Sequence, residues 1–293
     1  MDTIIYAVLT QSLTFLPLAL GISVSYTMLR ATDMTLDGSF VLGAGVFARL
    51  VTLGYSPIVA SIFALIAGCL GGVMVSLIQR GGKVDPLLAG ILATFILISG
   101  NLALMGRPNI SLLSSPTLFS KVFASSDLLG WTLVGAVSLT LCVLICILLR
   151  TKLGLSLRAL GDNPSFLKRL GKPVETLRMV GFGLTNLLAA AAGLLTAQTV
   201  GYADITMGTG MTLTGIGAIL LGDQLFRLCF KQQFMRIYAE FVACLLGVLL
   251  YFFTMNILLR FDVDPVYLKM LLGLILIVFL RGAAKAKSVE YHA

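Results

Sequence analysis

Residues 155–178 read LSLRALGDNPSFLKRLGKPVETLR, a basic stretch broken by Gly161, Pro164, Gly171 and Pro173. On either side lie long apolar runs, 128–149 before it and 177–200 overlapping its end. A run of about 20 apolar residues is the length that crosses a bilayer core as a helix. One hydrophilic segment between two such runs therefore marks a loop between membrane spans, and the rest of the chain repeats the pattern.

The 293 residues are 58% hydrophobic and 12% charged, with a mean hydropathy of +1.01. Soluble domains carry about 25% charged residues. This composition predicts an all-α, polytopic membrane protein, with residues 1–293 forming a single transmembrane domain. Hydropathy places apolar segments at 4–29, 34–53, 56–79, 85–105, 128–149, 177–200, 205–222, 236–259 and 264–280, about nine in all. Segments 34–53 and 205–222 are short and Gly-rich, the pattern of broken or re-entrant spans. The N-terminal MDTIIYAVLTQSLTFLPLALGI lacks a basic n-region and a small-residue cleavage site, so it reads as a retained span and not a signal peptide.

The net charge of +8 would point to nucleic acid in a soluble chain. Here it points to the cytoplasmic loops, where basic residues of membrane proteins collect. With the N-terminus outside, only Arg49, Arg107, Lys121, Arg260 and Lys269 of the 21 Lys and Arg fall on outer positions, leaving sixteen inside. That orientation puts 150–176 and the C-terminus in the cytoplasm and 106–127 in the main external loop. Lys269, near the outer end of the last segment, is expected to snorkel outward.

Chemical equipment is sparse. No GxxxxGK followed by Ser or Thr occurs, and there is no HExxH or GxSxG. Cys69, Cys142, Cys146, Cys229 and Cys244 lie in or beside apolar runs without metal-ligand spacing, which reads as buried structural thiols. His292 stands alone. No enzyme activity, metal site or bound cofactor is expected of this chain.

The loop itself has a local design. A first helical piece stops at Gly161, and Asp162 or Asn163 is placed to N-cap a second, with Pro164 at its first position. The second helix, about 164–170, ends at Gly171, as a C′ glycine ends a helix. Phe166, Leu167 and Leu170 give it one apolar stripe, with Lys168 and Arg169 on other faces. Three roles fit such a helix: lying on the inner leaflet, capping the bundle, or docking in a groove of a cytosolic partner.

An internal echo is also visible. Asp33-Met34-Thr35-Leu36 and Asp204-Ile205-Thr206-Met207 each precede a Gly-rich apolar run, and the two runs have opposite directions in the expected topology. Short, Gly-interrupted segments at corresponding places are the sign of an inverted repeat with a transport path between its halves. Asp37 is the acid inside such a segment, where it is either a half-helix cap or a functional charge. Asp33 reads as interfacial. Ser39, Thr206, Thr212 and Thr214 are candidates to line a path, although Thr among glycines also suits close helix packing. Asn101, Asn186, Gln198 and Asn256 are single polar residues with either role open.

The segment GLSLRALGDNPSFLKRLGKPVETLRMVGFGLTNLLAAAAGLL resembles the cytoplasmic loop and following span of ABC-transporter permeases of the branched-chain amino-acid type. Gly154, Leu157, Arg158, Ala159, Asn163, Pro164, Gly171 and Gly193 carry the likeness. DMTLDGSFVLGA (33–44) and GIGAILLGDQLF (215–226) resemble a subgroup whose partner binding proteins take amino acids, including aromatic ones; Asp223 stands where that subgroup is expected to have Glu. The resemblance implies two inverted halves, a permease dimer around a central path, an extracytoplasmic solute-binding protein, and cytosolic ATPase subunits that use ATP. It also implies that Arg158, Asn163, Pro164, Phe166, Leu167, Leu170 and Gly171 form the element received by the ATPase. The expected function is an importer permease in a bacterial inner membrane, contacting lipid and no nucleic acid. The alternative is a gradient-driven transporter or channel with Asp37 as its ion site.

Overall fold

A computed structural model describes residues 2–120, 127–229 and 236–261, with scattered positions up to 277. Ten α-helices occur among the described residues: α1 (Asp2–Ser23), α2 (Thr35–Thr52), α3 (Pro57–Ile78), α4 (Pro86–Met105), α5 (Asp127–Arg150), α6 (Lys152–Asp162), α7 (Pro164–Arg169), α8 (Val174–Val200), α9 (Met211–Cys229) and α10 (Arg236–Arg260). A π-helical turn, Val24–Met28, prolongs α1. Seven helical segments are long and apolar enough to cross a membrane, and Met211–Phe226 is a shorter apolar helix. The protein is an all-α polytopic membrane protein. The expected segment 264–280, with Lys269, lies outside the described residues except for isolated positions.

The chain divides into two compact units, residues 13–213 and residues 1–12 with 214–293. In the first unit α2 is the centre, packed by α3, α4 and α8. The expectation that 34–53 is broken or re-entrant is corrected: α2 is a continuous helix, buried from Thr35 to Ala48 except at Asp37. Its glycines serve contact instead of interruption. A Cβ on Gly43 would overlap the Ala190 carbonyl of α8, and one on Gly193 of α8 would overlap the Phe40 carbonyl of α2. Small residues thus let the two backbones touch, and the run Ala189–Ala192 keeps the α8 surface flat.

Segment 205–222 does begin irregularly. Residues 205–210 form successive turns, and helix α9 starts only at Met211. A two-stranded antiparallel ribbon precedes these turns, with Asn109 opposite Asp204, Ile110 opposite Ala203 and Ser111 opposite Tyr202. In the second unit, Gly222 and Gly247 make a reciprocal close approach of α9 and α10, each facing the other helix's carbonyls at Ala243 and Ala218. Asn256 donates to Gln11 within the same unit at 2.8 Å.

Candidate functional site

Two polar features interrupt the apolar packing, one at the start of α2 and one at α6–α7. The first is built on Asp33. Its Oδ1 accepts the Thr35 backbone N–H at 3.0 Å and the Thr35 hydroxyl, and its Oδ2 accepts the Asn186 amide of α8 at 2.8 Å. Ser39, fully buried, donates to Asn186 Oδ1 at 2.7 Å. Asp33 is 2% exposed, so this acid is not the ordinary surface carboxylate that its interfacial reading suggested. It lies between two spans, and burial pushes its carboxyl above the ordinary range while the Thr35 and Asn186 hydrogen bonds pull it back.

Asp37 sits one turn further on. Its Oδ2 accepts the Gly210 N–H at 2.9 Å; its Oδ1 accepts the Thr212 N–H at 2.7 Å and the Thr212 hydroxyl at 2.6 Å. The capping reading of Asp37 therefore needs a correction. Asp37 lies inside α2 and caps the beginning of α9, across 173 and more residues of sequence. Gly208 makes this possible, because a Cβ there would overlap the Asp37 carbonyl. Asn101 of α4 adds a hydrogen bond to the Gly38 carbonyl at 3.0 Å.

The second feature is the α6–α7 elbow. Thr151 caps α6, whose buried face is Gly154, Leu157 and Leu160. Helix α6 runs on to Asp162, one residue beyond the expected stop at Gly161. Gly161 is pressed against the Met28 carbonyl at the π-helical turn, where a Cβ would overlap. Asp162 pairs with Arg30 at 2.6 Å. Asn163 is the N-cap of α7, accepting the Phe166 N–H at 3.0 Å, with Pro164 at the first position. Gly171 follows with φ of +69°, a conformation that favours glycine.

The apolar residues of α7 do not form one stripe. Leu167 is 5% exposed and anchors α7 inward, whereas Phe166 and Leu170 are 53% and 59% exposed. Leu155 on α6, which sequence reasoning did not single out, is 69% exposed. Arg158 is half-buried on α6 and apart from the short helix.

Residues 4–280 match a family described as the branched-chain amino acid transport system permease component. The chain belongs to this permease family. It is 46% identical over 282 residues to an uncharacterised protein of Rickettsia prowazekii, covering 96% of this chain and 98% of the relative. A tyrosine transport system permease protein of Clostridioides difficile is 33% identical over 276 residues, 94% of this chain and 90% of its own length. An autoinducer 2 import system permease protein of Escherichia coli is 28% identical over 200 residues, 66% of this chain and 56% of its own. No solved structure matches.

Permeases of this family are transporter subunits and not enzymes. Among the candidate path residues of this permease, Asp37 and Thr212 come together, and Ser39 joins Asp33 and Asn186. Thr206 instead bonds Asp204 at 2.5 Å, and Thr214 shares a hydrogen bond with Tyr251 in the other unit. Sequence reasoning read Asp33 only as interfacial and gave Asn186 no partner. The available signal was an amide inside the small-residue run that begins at Gly181, where an unpaired polar group is costly.

Proposed function

We propose that this chain is the permease subunit of an ATP-driven importer for a small solute, and that α7 is the element through which a cytosolic ATPase acts. In this reading it works as a homodimer on two ATPase subunits and receives solute from an extracytoplasmic binding protein. The N-terminus lies outside and the C-terminus in the cytoplasm of a bacterial inner membrane. ATP-driven closure draws the two elbows together and switches which side of the path is open. The solute is an amino acid, a choice supported by the named function of the Clostridioides difficile relative.

The observation that carries the coupling role is the division of labour on α7. Leu167 fastens the helix to its own chain, while Phe166 and Leu170 are left exposed on a capped, well-defined turn. Leu155 is a third exposed apolar side chain, on the neighbouring helix. Exposed aromatics of this kind are the usual anchors of interfaces. The gradient-driven alternative is less well supported, because both Asp37 oxygens are occupied by donors of its own chain.

The test is co-purification of the ATPase with Phe166→Ala, beside uptake and thermal stability in detergent. Losing a large anchor costs about 2 kcal/mol, roughly thirtyfold in affinity. Lys168→Ala should change little. Unchanged co-purification and uptake in Phe166→Ala would remove the coupling role. Cytoplasmic-exposure reporters at Lys172 and Ser114 should score inside and outside respectively; the reverse pattern would overturn the orientation.

A further inference from the structure

We infer that a recess beside the α6–α7 elbow binds a phosphate-class oxyanion, held by Arg178, Gln79 and Arg30. The recess has a volume of about 200 Å³, far more than the roughly 10–15 Å³ that one water requires. Its polar lining is Arg30 after the π-helical turn, Gln79 at the C-terminal end of α3 and Arg178 on α8. Pro86, Leu160 and Phe182 supply apolar walls.

Gln79 is the observation that asks for a ligand. It is 1% exposed, and neither its Nε2 nor its Oε1 has a hydrogen-bond partner. Buried amides are almost always satisfied, and this one, facing the recess with both atoms, offers Nε2 as a donor to an anion's oxygen and Oε1 as an acceptor for a P–OH, a glycerol hydroxyl or a water. The charge balance gives the ligand its sign. Arg30 is matched by Asp162, whereas no carboxylate pairs with Arg178 among the described residues. A guanidinium fork fits phosphate oxygens in pairs, and Gln79 Nε2 adds a neutral donor beside it.

Two sources carry this chemistry, a soluble phosphate and the headgroup of an anionic phospholipid. Basic pockets between spans near a membrane surface suit such headgroups. The recess opens beside Pro86, the first residue of α4, whose next residues Leu87 and Leu88 are exposed and apolar. Gly161 and Pro164 also line it, so an occupant would touch the elbow and brace α7.

The experiment uses the full chain in nanodiscs and reads thermal unfolding, which does not depend on any ATPase or on transport. In one arm phosphatidylglycerol is titrated into phosphatidylcholine discs; in the other, inorganic phosphate is titrated at constant ionic strength. One arm should stabilise the wild type saturably, and which arm does so identifies the source. Arg178→Gln should shift the midpoint of that response about tenfold or more, while Lys168→Gln, on the exposed side of α7, should keep it. Gln79→Leu, which fills the same space without polar atoms, serves the same purpose if Arg178→Gln does not fold. A wild type indifferent to both titrations, or a wild-type response in the recess variant, overturns the inference.

Discussion

Asp33-Met34-Thr35 and Asp204-Ile205-Thr206 fold into the same local turn and then part ways. In each, one carboxylate oxygen accepts the backbone N–H and the hydroxyl of the Thr two residues on. After Thr35 the chain enters α2 at once; after Thr206 it makes further turns until Met211. Gly208 and Gly210 make the difference, the first pressed on Asp37 and the second at φ of +79°. The surroundings differ too. Asp33 is buried and takes a third donor from Asn186 on α8, while Asp204 lies near the surface and takes one from Asn109 at 3.1 Å. Burial raises the Asp33 carboxyl, and the Thr206 and Asn109 hydrogen bonds hold the Asp204 carboxyl below its usual range. A shared tripeptide thus sets a turn, and packing decides what the turn is for.

The contrast can be broken most sharply at Asp33. Asp33→Ala leaves the two Thr35 donors and one of the two Asn186 amide N–H groups without an acceptor at a buried site, the other Asn186 N–H keeping the Phe182 carbonyl. At about 1–3 kcal/mol for each buried orphan, the loss should reach about 3 kcal/mol or more, read as a large fall of the melting temperature in detergent. A variant as stable as the wild type would mean that the seam does not hold α2.

Asp37→Asn comes next. The amide keeps one acceptor oxygen but turns a donor toward either Gly210 or Thr212, so about 1–2 kcal/mol should be lost. Asn at an ordinary N-cap costs almost nothing, and that milder result would show that only one Asp37 oxygen matters.

The pH dependences of the two acids should have opposite signs. A carboxyl raised in the folded state favours folding most at low pH, and that contribution fades as pH rises through the folded value. Stability of Asp33→Asn relative to wild type should therefore improve as pH increases. Asp204, lowered in the folded state, stabilises above about pH 4 and loses this as pH falls through its folded value. The deficit of Asp204→Ala should accordingly shrink on acidification, and parallel curves for the two variants would erase the distinction. At neutral pH Asp204→Ala should be the smallest effect, within about 0.5 kcal/mol, because water can replace its exposed partners.

Much of this was legible before any coordinates. Span lengths follow from apolar runs, and α3, α4, α5, α8 and α10 fall within a few residues of the expected segments. The Asn163–Pro164 start and the Gly171 stop of α7 follow from local capping chemistry, which needs no distant partner. Long-range pairing was not legible. Nothing in the sequence says that Asp37 reaches Thr212 or that Asn186 meets Asp33, because those contacts are made by helix packing. The glycines of α2 misled for a related reason: they look like breaks, but Gly38, Gly43 and Gly45 are contact points whose counterparts, Leu97 and Met105 of α4 and Ala190 of α8, lie on facing helices.

The enclosure of α2 has a mechanical consequence. With α3, α4 and α8 packed around it and its backbone touching α8 at Gly43 and Gly193, it is buried among the described residues from Thr35 to Ala48 except at Asp37, which leaves little room to tilt. Interlocked surfaces of this kind resist shear, since sliding would replace each glycine by a neighbour whose Cβ runs into the facing carbonyl. Any stroke delivered to this part of the molecule is then borne by the four helices as a block, with α2 as its axle.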